Sequence, residues 1–286
     1  FNTMGPIINN KVISLGFSTC PNDTFIFDAM VNGKVDTEGI VFEYIMEDVE
    51  SLNKLAFSSR LDMTKISYSA FGFLVDKYVL LDAGSALGVN CGPLVVGLKN
   101  LNQDSINEAK VAIPGKYTTA NFLFSLAFPK SNNKVEMVFS NIEDAILNGE
   151  VDAGVIIHES RFTYKDKGLK QLMDLGSYWD ELSGLPIPLG GIAVKRSLPL
   201  ELKEKLNRIM KRSVSFALEN PHESSEFVKL HAIEMKNEVI QSHIDLYVND
   251  YTVSLNEDGI TAVKKLLNTG MELQLIPTCT IPLFVN

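Results

Sequence analysis

The apolar residues of the chain alternate between strand-length runs and segments with helical spacing. Residues 12–17 form a short apolar run bounded by turn-forming residues, which predicts a strand. Residues 18–24 contain the hydroxyl, Asn, Asp and Pro side chains that begin helices, and apolar residues at helical spacing follow in 25–30. Further strands are predicted at 40–45, 61–66, 78–81, 94–98, 111–113, 134–139, 151–157 and 189–194, and further helices at 47–57, from 67, from 118 and at 142–148. This alternation predicts an α/β fold.

The C-terminal part of the chain is predicted to be helical. Helical spacing covers 199–220, 221–235, 239–249 and 259–268. Two glycine-containing segments, 84–93 and 189–191, lie between strands. The first lacks the glycine and lysine patterns of nucleotide-binding loops, so it is predicted to be a tight connection where the chain crosses between two lobes. Residues 1–10 precede the first strand and are set aside as a tag remnant or a disordered start.

Two parts of the chain share one order of elements. In each, a helix is followed by a charged residue and an Asp (Asp62 or Asp152), then a strand, then a polar residue (Ser67 or His158). Two similar lobes that face one another would place both strand ends in one cleft. With the two crossings and the helical tail, this order resembles the two-lobed type II periplasmic-binding-protein fold. That resemblance implies a discontinuous first lobe, 11–97 plus 193–286, and a second lobe, 98–192.

His158 is the residue best suited to proton transfer. It follows an almost wholly apolar strand, and open α/β folds bind ligands at the carboxyl ends of their strands. A neutral imidazole can accept a proton at cellular pH. A structural histidine at a strand end is the alternative. The other histidines, His222, His231 and His243, lie in the helical part and are predicted to be surface or helix-packing residues.

Further polar residues stand at predicted strand ends and helix starts. Thr118 and Thr119 begin a helix, where hydroxyls and amides can hold a carboxylate or cap the helix. Lys65 is a charge within an apolar strand, so it either extends to solvent or faces an anion. Asn22, with its neighbour Asp23, can cap the first helix, bind a ligand, or do both.

The lone tryptophan and the cysteines point to no special chemistry. Trp179 is predicted to pack in the interior, with stacking on an aromatic ligand as the alternative. Cys20, Cys91 and Cys279 match neither a disulfide framework nor a metal-binding pair, so free thiols in a reducing cytoplasm are predicted. No metal site is predicted, because the histidines show no HExxH or similar spacing.

The composition narrows the range of partners. With 286 residues, 45% hydrophobic and 21% charged, the chain is typical of a soluble globular protein that can form two lobes. A formal net charge of −9 argues against a nucleic-acid partner. The sequence contains no apolar run of membrane-spanning length, and its first residues lack a signal-peptide pattern.

The motif Cys20-Pro21-Asn22-Asp23-Thr24-Phe25 closely resembles the opening motif of the 1,4-dihydroxy-6-naphthoate synthase family, which acts in the futalosine route to menaquinone. The resemblance continues through 65–68, 84–88, 92–94, 118–120, 156–159 and 247–249 and covers most of the chain. It implies a lyase that converts cyclic dehypoxanthine futalosine, an aromatic carboxylate, to 1,4-dihydroxy-6-naphthoate and releases a three-carbon sugar fragment, dihydroxyacetone. It implies no metal and no organic cofactor.

The resemblance also assigns roles to residues. His158 matches the general base of the family, and the expected ligand contacts are Asn22, Lys65, Ile66, Ser67, Thr118 and Thr119. Two alternatives remain open. Chorismate dehydratase, a sister enzyme of the same fold, is disfavoured by the Cys-Pro-Asn-Asp-Thr-Phe motif. A non-enzymatic solute-binding protein is disfavoured by the lack of an export or lipid-anchor signal.

Overall fold

A computed structural model describes residues 11–233 and 236–285 of the chain. The predicted tag remnant, 1–10, lies outside the described residues. The strands of the described part are β1 (Lys11–Phe17), β2 (Ile40–Met46), β3 (Met63–Ser67), β4 (Tyr78–Leu80), β5 (Ala86–Gly88), β6 (Leu94–Gly97), β7 (Val111–Ile113), β8 (Lys134–Glu136), β9 (Ala153–Ile156), β10 (Lys170–Asp174) and β11 (Ile187–Lys195).

The strands form two mixed sheets. The first has the order β2-β1-β3-β11-β4, with β5 also paired to β11, and the second has the order β10-β6-β9-β7-β8. Strands β1, β2 and β3 are parallel, and β11 runs antiparallel to β3, β4 and β5. In the second sheet β7 is parallel to β8 and β9, whereas β6 is antiparallel to β9 and β10. The α/β prediction is confirmed.

Helices follow most of the strands and make up the C-terminal part. They are α1 (Pro21–Val31), α2 (Val49–Phe57), α3 (Tyr68–Phe71), α4 (Gln103–Glu108), α5 (Thr119–Ala127), α6 (Ile142–Leu147), α7 (Ser160–Thr163), α8 (Leu175–Ser183), α9 (Leu200–Glu219), α10 (Ser225–His231), α11 (Asn237–Tyr247), α12 (Asp250–Val253) and α13 (Asn256–Glu272). Within the described ranges, none of them has the length and apolar composition needed to cross a bilayer.

The predicted strands are found, with differences at three places. The run predicted at 134–139 forms a strand only as far as Glu136 and continues into a 3-10 turn at Phe139–Asn141. The connection 84–93 contains the short strand β5, which pairs with β11 and was not predicted. Strand β10 and helix α8 were also not predicted. The two ends of β10 are charged, and much of it is exposed because it is an edge strand, so it has no apolar run.

The two connections between the sheets touch each other backbone to backbone. A Cβ atom on Gly92 would lie 2.3 Å from the Cα and N atoms of Gly176, so only glycine fits there. Arg161 joins the same region, because its Nη1 donates to the carbonyl of Gly92 at 2.5 Å and its Nη2 pairs with Asp174 at 3.0 Å. The prediction of a tight crossing in 84–93 agrees with this contact.

The lobe boundaries at 97 and 193 stay a prediction. Sheet pairing places β6 in the second sheet and β11 in the first, so residues 94–97 hydrogen-bond with the segment predicted to be the second lobe. Trp179 is fully buried in the apolar core, and its Nε1 donates to the carbonyl of Pro186 at 3.3 Å. This geometry gives Trp179 a packing role.

Candidate active site

A cavity lies where the carboxyl ends of strands from the two sheets face each other. Its walls enclose about 640 Å³, including the part that opens to solvent. The lining residues are Ser18, Asn22, Asp23, Val49, Lys65, Ser67, Ala86, Cys91, Pro93, Thr118, Thr119, Ala120, Ile157, His158, Leu189, Gly190 and Tyr247. A cleft of this size, lined by both apolar and polar side chains, is typical of a small-molecule site.

The loop between β1 and α1 forms one wall around the carboxylate of Asp23. Cys20 caps α1 with extended backbone, and Pro21 occupies the first helical position, where its missing N–H costs nothing. Asp23 is 1% exposed and accepts from the backbone N and the hydroxyl of Ser18, at 3.1 and 2.8 Å. The side-chain amide of Asn22 donates to the same carboxylate at 3.1 Å. This carboxylate is therefore buried with its hydrogen bonds satisfied.

Lys65 completes the set of donors around Asp23. It is the central residue of the buried strand β3, and its Nζ lies 2.5 Å from Asp23 Oδ1. Of the two roles predicted for Lys65, facing an anion is the one observed, and the anion is a side chain of the protein. Two residues further along the strand, Ser67 accepts a hydrogen bond from the Asn53 side chain at 3.0 Å. Strand alternation therefore directs Lys65 and Ser67 toward the cavity.

Ile66 lies between these two residues and has the opposite orientation. Its side chain is fully buried in the apolar core and does not line the cavity. The Ile66 side chain therefore does not face the cavity, and the contact of Ile66 with the ligand stays a prediction. The physical reason is the two-residue period of a strand, which sends successive side chains to opposite faces.

His158 lies just beyond β9 on the other wall. Its φ angle of +56° is in the left-handed region, which non-glycine residues adopt rarely and often at functional sites. This turn ends the strand and leads into α7. The ring packs edge-on against Phe139, with ring centroids 4.8 Å apart. Its Nε2 is buried and accepts or donates no hydrogen bond among the described residues.

The environment of His158 keeps its imidazole neutral. Burial is the main cause that lowers its pKa to about 4; the charge of Lys65 also lowers it, and Asp23 opposes both. At neutral pH the ring therefore carries a lone pair that can accept a proton. An unpaired lone pair in a cavity wall is the arrangement expected of a general base.

His243 is a member of this site that the sequence did not indicate. It lies on α11, is fully buried, and stacks on His158 with ring centroids 5.9 Å apart. Its Nε2 is 2.9 Å from Asn22 Oδ1, an acceptor, so the proton is on Nε2. Burial, followed by the neighbouring His158 and Lys65, lowers the pKa of His243 well below its usual value. The prediction that His243 is a packing residue agrees with this position, but the ring that it packs against is that of His158, in the candidate active site.

The start of α5 supplies free backbone amides. Thr118 caps the helix by accepting from the N–H of Asn121 at 3.2 Å, and its own hydroxyl donates to the carbonyl of Gly115 at 2.8 Å. The N–H groups of Thr119 and Ala120 occupy the first helical positions, which have no intrahelical acceptor, and both residues line the cavity. The Thr119 hydroxyl donates to the carbonyl of Leu189 at 2.7 Å. These two amides can hold a carboxylate.

Among the described residues, one group of side chains has metal-ligating chemistry. Cys20, His158 and Glu159 each place a donor atom within 4.8 Å of the other two. Thiolate, imidazole and carboxylate are ligands for zinc. However, burial and the charge of Glu159 raise the pKa of the Cys20 thiol well above its usual value, and a protonated thiol opposes metal binding. An ion held there would also occupy the imidazole of His158.

Comparison with known proteins identifies the family of the chain. The family model described as menaquinone biosynthesis matches residues 13–272. The chain belongs to this family. A relative from Thermus thermophilus, named 1,4-dihydroxy-6-naphthoate synthase, is 43% identical over 275 residues, which cover 96% of this chain and 100% of the relative. A relative of the same name from Streptomyces coelicolor is 38% identical over 93% of this chain and 95% of its own length.

Solved structures extend the comparison to the fold. A crystal structure of a protein from Archaeoglobus fulgidus has a TM-score of 0.88 and 40% identity, covering 93% of this chain and 98% of that one. The periplasmic aliphatic sulphonate binding protein of Escherichia coli has a TM-score of 0.64 at 10% identity, covering 96% and 94%. The predicted two-lobed periplasmic-binding-protein-like fold is thus confirmed, as is the resemblance to the synthase family. The two relatives from Thermus thermophilus and Streptomyces coelicolor are named as synthases, so the chain is an enzyme.

Proposed function

We propose that the chain is a carbon–carbon lyase that converts cyclic dehypoxanthine futalosine to 1,4-dihydroxy-6-naphthoate and releases dihydroxyacetone. The observation that carries this proposal is the neutral, unpaired imidazole of His158 in the wall of the cavity. The name of the Thermus thermophilus relative supports the product. Free thiols are typical of a reducing compartment, and we propose the cytoplasm as the location.

His158 acts as the general base in this proposal. With its pKa lowered to about 4, the imidazole is deprotonated before substrate arrives. A carboxylate bound in the same cavity raises the pKa of the imidazole, because a nearby negative charge favours the protonated ring. Proton uptake is then favoured in the complex more than in the free enzyme. A base positioned in this way contributes about 10²–10⁴-fold in rate.

Substrate binding is assigned to the start of α5 and to the wall that contains Asp23. The amides of Thr119 and Ala120 hold the carboxylate at the start of α5, and the capping hydroxyl of Thr118 fixes that helix end. Ser67, whose hydroxyl proton has no acceptor among the described residues, adds one further donor from the opposite wall. Asn22 and Lys65 contact the substrate from the Asp23 cluster, where Lys65 has two further protons to donate.

Turnover of the purified protein tests the proposal. Cyclic dehypoxanthine futalosine is incubated with wild type and with the His158→Ala variant, without added metal or cofactor, and dihydroxynaphthoate is measured by mass spectrometry. We expect product from wild type and a loss of about 10²–10⁴-fold in kcat for the variant. His222→Ala is the matched control, because His222 is exposed and outside the cavity.

Two outcomes contradict parts of the proposal. A His158→Ala variant that keeps more than about a tenth of wild-type kcat removes His158 from the base role. Binding of the substrate by wild type without turnover favours a solute-binding function, which the fold of the sulphonate binding protein also serves. Dehydration of chorismate by wild type would instead identify the sister enzyme.

A further inference from the structure

Tyr247 lines the cavity, and its hydroxyl has no hydrogen-bonding partner among the described residues. It is the last residue of α11, is 7% exposed, and lies four residues after His243, so both side chains project from one face of that helix. Its ring centroid is 4.6 Å from that of His243. Among the described residues, no group accepts from or donates to its hydroxyl. The hydroxyl is open to the cavity, so it can donate to a molecule that is bound there.

The other hydroxyls of the cavity are mostly committed to acceptors of the protein. Those of Ser18, Thr118 and Thr119 donate to Asp23, Gly115 and Leu189 at 2.8, 2.8 and 2.7 Å. In the described part of the chain, this leaves two cavity-lining hydroxyls whose protons have no acceptor, those of Ser67 and Tyr247. Only Tyr247 is on the helix whose His243 stacks on the ring of His158.

Burial fixes the protonation state of this hydroxyl. Loss of water around the ring, followed by the nearby Cys91, raises the pKa of Tyr247 well above its usual value. The phenol therefore keeps its proton throughout the range in which the imidazole of His158 is deprotonated. One neutral base and one neutral donor then line the same cavity, with His243 packed against both rings.

We propose that Tyr247 is a catalytic residue whose hydroxyl donates a hydrogen bond to the substrate oxygen on which negative charge develops during carbon–carbon cleavage. This inference rests on the proposed function. The side chain is held by His243, which is itself fixed by its bond to Asn22. A donor that is already oriented in a buried cavity stabilises a developing oxyanion without reorganisation.

Protons and electrons balance in the proposed carbon–carbon cleavage. His158 takes the proton of a substrate hydroxyl, and the O–H electron pair becomes the second bond of a carbonyl in the departing three-carbon fragment. The electrons of the broken carbon–carbon bond form an enolate, whose oxygen accepts the hydrogen bond from Tyr247. His158 then returns its proton to that oxygen. Tyr247 keeps its own proton, and the enzyme ends in its starting state with no oxidant or reductant required.

The test compares Tyr247→Phe with wild type and with Tyr178→Phe. Tyr178 is the matched control, because its hydroxyl donates to the carbonyl of Leu126 at 3.4 Å and does not line the cavity. We expect kcat of Tyr247→Phe to fall about 10²–10³-fold, the loss typical of one oxyanion donor. The dissociation constant of 1,4-dihydroxy-6-naphthoate, measured by calorimetry, is expected to stay within about threefold, since the donor acts mainly in the transition state.

The melting temperature of the Tyr247→Phe variant tests the inference independently of its activity. The hydroxyl has no partner in the described chain, so its removal breaks no protein hydrogen bond and the melting temperature should not fall. A fall of more than about 4 °C assigns the hydroxyl to structure and overturns the inference. So does a kcat within about threefold of wild type. A wild-type protein that makes no product overturns the proposed function and this inference with it, whereas active wild type with active Tyr247→Phe overturns the inference alone.

Discussion

Replacing Lys65 by Met removes one half of the ion pair at the centre of the site. The Lys65 and Asp23 side chains are 8% and 1% exposed, and their charged atoms are 2.5 Å apart. Removing one partner of a buried pair costs about 3–5 kcal/mol, because the other charge stays buried without compensation. Asp23 keeps its hydrogen bonds from Ser18 and Asn22, so we expect the free energy of unfolding to fall by about 3 kcal/mol, the lower end of that range.

The chain contains a matched control for this change. Lys54 and Glu136 are also 2.5 Å apart, but their side chains are 54% and 37% exposed. Water screens such a pair, so Lys54→Met should cost only about 0–1 kcal/mol. The two substitutions are chemically identical and differ in burial, which isolates the effect of the surroundings. Free energies come from urea unfolding followed by circular dichroism, with the slope of the transition compared between variants.

A double-mutant cycle completes the experiment. The variant with both Lys65→Met and Asp23→Asn contains no buried charge at this position. It should therefore be more stable than the sum of the two single losses predicts, by a coupling of about 1–3 kcal/mol. Equal losses for Lys65→Met and Lys54→Met, both within about 1 kcal/mol of wild type, would refute the reasoning that burial makes this pair strong.

Three further predictions concern the lowered pKa of His158 and the contact of Gly92 with Gly176. Because the pKa of His158 is lowered to about 4, kcat/KM should stay constant as pH falls from 8 through 6.5 to about 5, and a fall centred near 6.5 would show a solvated imidazole instead. The same shift makes the neutral ring stabilise the fold above pH 6.5, and this contribution is lost as pH falls toward 4. Gly92→Ala should lower the free energy of unfolding by about 1–3 kcal/mol, because its methyl group meets the backbone of Gly176, and an unchanged melting temperature would contradict the contact.

Parts of both walls of the cavity could be predicted from the sequence. The residue types at 18–24 already indicate a helix start with capping groups, and the structure forms that start with Pro21 at its first position. His158 could be found because it interrupts an apolar run at a strand end. Ile66 was predicted to contact the ligand because its segment resembles a ligand-contacting segment of the family, whereas strand alternation turns its side chain to the other face.

His243 and Tyr247 show what a single sequence lacks. Both lie on a helix far along the chain from the strands whose ends they meet, and nothing local distinguishes His243 from other helix-packing histidines. The available signal was their spacing of four on one helix face, which predicts that they are neighbours but not what they face. Tertiary packing decides that question. The same holds for the edge strand β10. Its sequence has no apolar pattern, and only its place at the edge of the sheet makes it a strand.

The order of strands in the first sheet has a consequence for how the chain acquires its structure during synthesis. Strand β11 lies between β3 and β4, yet it follows all five strands of the second sheet in the chain. As the chain emerges from the ribosome, β6 to β10 can pair while β4 still lacks its neighbour. Strand β4 joins β3 in the first sheet only when β11 pairs with both, and this pairing closes a loop that contains the whole second sheet. Contacts of such high sequence separation form slowly. We therefore expect the wall that includes Lys65 to be completed after the wall that includes His158.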